Sequence, residues 1–142
     1  MASRKVAVKP DEVETLACGW VTAKILCDQR STASSSMSAV TIFFDPGKGH
    51  ARHNHPEADQ IIYVLAGQGE MMIEFEEGRP SKQSITPGDL VFIPRGAYHS
   101  TFNTGWEPIR ILAVYSPAGP ETYMRESPEF KVVSPTRAPA DF

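Results

Sequence analysis

At 142 residues, with 41% hydrophobic and 22% charged residues, the chain has the size and composition of one soluble globular domain that buries a core without staples. A net charge of −3 and a pI near 5.8 supply no basic field for a phosphate backbone or an anionic bilayer, which argues against nucleic acid and membrane as partners. No stretch approaches the roughly 20 apolar residues of a membrane span. Arg4, Lys5 and Lys9 precede no apolar signal block, and Cys18 and Cys27 fit reduced, buried thiols rather than a disulfide framework, so cytoplasmic residence is expected.

In chain order, residues 20–26 and 37–44 are rich in Val, Ile, Thr and Phe and read as strands, joined by a Ser/Thr-rich loop over 28–36. Asp45-Pro46-Gly47 ends the second as a turn. Further strands are expected over 60–65, 70–75, 90–93, 99–102 and 109–115. Between them lie Gly67-Gln68-Gly69, Glu77-Gly78-Arg79-Pro80, Pro87-Gly88-Asp89, Arg95-Gly96 and Thr104-Gly105. Short strands at even spacing, with no room for crossover helices, predict an all-β sandwich or barrel. The best helical candidate is 120–125, where Pro120 suits a first turn. Residues 117–142 read as an extended tail; its Phe130, Val132 and Val133 either fray or cover an open sheet edge, on this chain or a neighbouring subunit.

All four histidines, His50, His53, His55 and His99, fall in or beside two glycine-framed segments. His53 and His55 are two apart, so an extended backbone points both to one face. A third ligand can come from Gln60, just past Pro56, or from Asp59 at a spacing one residue shorter, though only Gln60 keeps six residues before Gly67; a fourth can come from His99 on a distant strand. Imidazoles with one amide oxygen suit divalent ions from manganese to zinc. His50, beside Gly47-Lys48-Gly49, reads as a solvated loop residue, and Asn103 as a turn stabiliser. Alternation places Thr101, Ile62 and Val64 inward with the ligands and Asp59 on the opposite side. Glu74, Glu76 and Glu77 read as the wet face and tip of a hairpin.

These segments resemble the two motifs of the cupins. The first motif is a glycine, five residues, His-x-His, three or four residues, a glutamate, six residues and a glycine; here Gly47, His53, His55, position 60 and Gly67 follow it. The second is matched throughout by Gly88, Pro94, Gly96, His99 and Asn103. The resemblance covers residues 47–103 and implies a jelly-roll barrel (a double-stranded β-helix) with its core over about 37–116, one divalent transition metal (Mn, Fe, Co, Ni or Zn) on His53, His55, Gln60 and His99, and a homodimer. One departure carries chemistry: the family's glutamate position holds Gln60, so a bound ion faces four neutral groups and keeps its full charge toward substrate.

Cupins with this ligand variant rearrange or ring-open sugar acids and related keto acids. The resemblance thus implies an isomerase or lyase acting on a small oxygen-rich organic acid or carbonyl compound. An iron or nickel dioxygenase is the enzymatic alternative, and a ligand-binding or sensor module the non-catalytic one. Thr41, Phe43, Thr101 and Tyr115 are expected to line the cavity, and Arg52, Arg95 and Arg110 are candidates for a carboxylate clamp. Tyr115, Tyr98, Tyr63 or a metal-bound water are the open choices for the general base.

Overall fold

The computed structural model describes residues 5–136. After a 3-10 turn at Pro10–Glu12 come eleven strands: β1 (Thr15–Cys18), β2 (Val21–Cys27), β3 (Ser38–Phe44), β4 (Gly49–His53), β5 (Asp59–Ala66), β6 (Gly69–Glu76), β7 (Arg79–Ile85), β8 (Leu90–Ile93), β9 (Tyr98–Asn103), β10 (Ile109–Ser116) and, last, β11 (Lys131–Val133). A 3-10 turn at Pro120–Thr122 and the one-turn helix α1 (Tyr123–Glu126) precede β11, where the sequence placed its only helix. All pairings are antiparallel, in a seven-stranded sheet ordered β11-β1-β2-β3-β10-β5-β8 and a four-stranded sheet ordered β4-β9-β6-β7.

Period-two burial decides which side chains meet between the sheets. In β5, Gln60, Ile62 and Val64 are buried while Ile61, Tyr63 and Leu65 face out. β10 buries Ile109, Ile111, Ala113 and Tyr115, and β3 buries Ser38, Val40, Ile42 and Phe44. With Met71 and Ile73 of β6 and Ile93 of β8 the apolar members of these rows form one core, while Gln60 and Ser38 are buried polar residues. Gly67 shows how closely the chain turns: at φ +79° it adopts a conformation side chains resist, and a Cβ there would lie 2.7 Å from the Pro108 carbonyl oxygen.

Two strands escape the hydrophobic pattern because they are sheet edges. β7 carries Arg-Pro-Ser-Lys-Gln-Ser before Ile85 and ends the four-stranded sheet, where polar side chains and Pro80 are tolerated. β11 closes the other sheet by pairing Val133 with Thr15 and Val132 with Leu16, so this part of the expected tail covers an edge of its own chain and does not fray. Arg125 of α1 ties the segment before β11 to the rest of the chain, donating to Glu14 (2.9 Å) and Asp28 (3.2 Å).

Candidate metal centre

β4 and β9 run side by side, with His53 opposite His99. The strand ends at His53, and the turn that follows brings His55 back over the same cavity. Ring centroids of His53 and His99 are 4.2 Å apart, His53 and His55 4.9 Å, and His55 and His99 5.3 Å. One nitrogen from each of the three lies within 4.8 Å of the others, close enough to share an ion. Gln60 enters from the opposite sheet, on β5, between Tyr115 of β10 and Ile93 of β8.

The lone pairs are set by the backbone. His53 Nδ1 is 2.6 Å from the Ala51 carbonyl and His99 Nδ1 is 2.9 Å from the Ala97 carbonyl. A carbonyl only accepts, so each Nδ1 carries the proton and each Nε2 is left with a lone pair. Burial lowers His53, His55 and His99 to about 4, with neighbouring imidazoles adding repulsion, so all three are neutral at pH 7. His55 Nε2, Gln60 Oε1 and His99 Nε2 are sealed from solvent without a hydrogen-bond partner among the described residues. Buried polar atoms are normally paired; Gln60 Oε1 and His99 Nε2 are acceptors, and His55 Nε2 is one in the tautomer protonated at Nδ1, so the residues fit a first-row divalent ion.

Other candidate residues divide between the two faces of the sheets. Thr101 is buried, with its hydroxyl 3.1 Å from Met71 Sδ. Tyr115 is buried with its ring edge-on to His55 at 5.2 Å. Burial, then Tyr123 and Glu121, push its phenol up, which suits a proton-holding donor rather than a base. Thr41, Phe43 and Arg110 do not line the cavity. On β3 and β10 they take the outward parity, Phe43 is 36% exposed, and Arg110 lies over its ring at 5.9 Å. Tyr63 also faces out, and Tyr98 stacks under Arg52 at 3.8 Å.

None of the three arginines forms the expected clamp. Arg52 grips Glu74 at 2.6 and 3.1 Å, Arg95 lies 3.9 Å from Asp59, and Arg110 is outside. Glu74 is accordingly buried rather than wet, and Arg52, then the Gly78 N–H, hold its carboxyl below the usual range. His50 is the largest correction. It is no solvated loop residue: its ring stacks on His53 at 3.5 Å and packs against Trp20 at 4.6 Å. Burial and the three other histidines push it down to about 2. A β-bulge turned it inward, and nothing in the residue spacing announced that bulge.

The sequence profile of the cupin domain family matches residues 40–115. A glucose-6-phosphate isomerase from Thermococcus gammatolerans is 38% identical over 73 residues, 51% of this chain and 37% of that protein. The dimethylsulfoniopropionate lyase DddQ of Ruegeria pomeroyi is 38% identical over 69 residues, 49% of this chain and 32% of that protein. The chain thus spans about a third of the length of these curated relatives. Among solved structures, KdgF from Halomonas sp. superposes with a TM-score of 0.68 at 22% identity, over 83% of this chain and 99% of that one, a likeness of fold. With the profile spanning more than half the chain and both of its sheets, the chain belongs to the cupin family.

Proposed function

We propose that this cupin is a metal-dependent isomerase or lyase acting on a small oxygen-rich organic acid or carbonyl compound, with one divalent transition ion held by His53, His55, Gln60 and His99. The observation that carries this is the set of sealed polar atoms from His55, Gln60 and His99 that have no partner among the described residues, beside a cluster of three imidazoles whose nitrogens lie within 4.8 Å of one another. When bound, such an ion polarises a carbonyl or hydroxyl oxygen as a Lewis acid, undiminished by any carboxylate ligand. Tyr115 serves as a proton-holding hydrogen-bond donor beside His55, and Thr101 forms part of the buried wall. An isomerase and a lyase among the relatives support this reaction class.

A homodimer is part of the proposal. It is supported by an apolar outer face on the seven-stranded sheet, where Ile61 lies opposite Phe92 and Tyr63 opposite Leu90, all exposed. The free thiols of Cys18 and Cys27 support a reducing compartment such as the cytoplasm. The test is elemental analysis of protein purified without added metal or chelator, beside His53→Ala. Wild type is expected to carry the ion and the variant to lose it; retention at full stoichiometry removes the site.

A further inference from the structure

A fourth imidazole reaches this cavity without joining the ligand set. His50 and His53 are three residues apart, which in a regular strand would send them to opposite faces. The bulge between them sets His50 opposite Thr101 and His53 opposite His99, and both partners are buried. Gly49 permits the approach, because a Cβ there would collide with the Thr101 carbonyl oxygen. The His50 ring is then fixed by its stack on His53, at 3.5 Å and 18°, and by Trp20.

Its nitrogens are the distinctive feature. Neither makes a hydrogen bond among the described residues, yet neither is sealed in the way His55 Nε2 and His99 Nε2 are. Such a group is held in place and has no hydrogen-bond partner among the described residues. Arg52 and Arg95 are engaged by Glu74 and Asp59, and Arg110 lies over Phe43, so each of the three arginines already has a partner outside the histidine cluster. We propose that His50 is a substrate-binding residue of the cavity, an imidazole N–H donating to a carboxylate oxygen of an α-keto or α-hydroxy acid. This rests on the metal-centre reading for its setting but asks a separate question of a residue that is not a ligand.

The experiment compares wild type, His50→Phe, His50→Gln and His53→Ala, each checked for folding by circular dichroism, for metal by elemental analysis, and for pyruvate binding by calorimetry. His50→Phe keeps a ring for the stack and removes the nitrogens. It is expected to hold metal at wild-type stoichiometry while binding pyruvate roughly tenfold more weakly or worse, the worth of one hydrogen bond to a charged group. His50→Gln, which restores a donor, should recover part of that loss. Equal affinity in wild type and His50→Phe, or metal-loaded wild type that binds no pyruvate, overturns the proposal. So does loss of metal from His50→Phe with retention in His53→Ala. Wild type found without metal overturns the metal reading instead, and weaker pyruvate binding by His50→Phe would then still support His50.

Discussion

The two ends of β9 treat buried polar atoms in opposite ways. At one end Asn103 is saturated: its amide donates to the Phe44 and Glu107 carbonyls at 2.9 and 2.7 Å and accepts from the Gly105 N–H at 2.8 Å. At the other end His99 Nε2, with His55 Nε2 and Gln60 Oε1 beside it, is sealed and unpartnered. Leaving a buried acceptor unpaired costs about 1–3 kcal/mol. One strand therefore holds together a turn with one end and, with the other, helps gather buried polar atoms that no described residue pairs.

Acid should widen that contrast most. In the metal-free protein the folded state refuses protons at His53, His55 and His99 until about pH 4, whereas the unfolded chain accepts them near 6.5. Their contribution to stability is thus full above about pH 6.5 and is lost as the pH falls toward 4. For His99, 1% exposed, the loss approaches roughly 1.4 kcal/mol per pH unit within that window; the half-buried pair adds less. Urea midpoints of chelator-treated protein should fall steeply from pH 7 to pH 4.5, and less steeply in His99→Leu. A midpoint indifferent to pH would contradict the buried, neutral triad.

The saturated end offers the next largest effect. Asn103→Ala strips partners from two carbonyls and one N–H that tie β3, β9 and the approach to β10 together. A loss of about 2–3 kcal/mol in urea unfolding is expected, with metal stoichiometry unchanged. A change below about 0.5 kcal/mol, typical of an exposed site, would mean that water replaces the amide without penalty.

The same contrast separates what the sequence disclosed from what it withheld. Alternating apolar residues exposed β5 and β10, and the glycine-framed spacing of His53, His55, Gln60, His99 and Asn103 indicated both ends of the motif. Parity in β3 was not legible. Val40, Ile42 and Phe44 alternate with Thr41 and Phe43, two faces that are both acceptable inside, and only the pairing with β10 shows that Phe43 meets Arg110 outside. His50 escaped because a one-residue bulge reverses every parity argument on β4. Glu74 escaped because its burial depends on Arg52, 22 residues away in sequence and adjacent only once β4 and β6 flank β9.

Gln60→Leu gives the smallest and most discriminating effect, because the two ends of β9 predict different signs for it. If Gln60 Oε1 is an acceptor kept idle for a ligand, replacing the amide by a branched apolar group of comparable volume removes a sealed, unpaired atom and leaves the β5 pairings to Tyr115 and Ile93 in place. Chelator-treated Gln60→Leu should then be more stable than chelator-treated wild type, by about 1 kcal/mol in urea unfolding. The same substitution should weaken metal binding at least tenfold in competition with a chromogenic chelator, since one of four proposed donors is gone. A variant destabilised without metal would show that the amide supports the fold as Asn103 does; unchanged metal affinity would remove Oε1 from the ligand set. Opposite movement of stability and affinity at a single residue is the signature expected where a fold holds a polar atom in reserve, and no substitution at Asn103 can produce it.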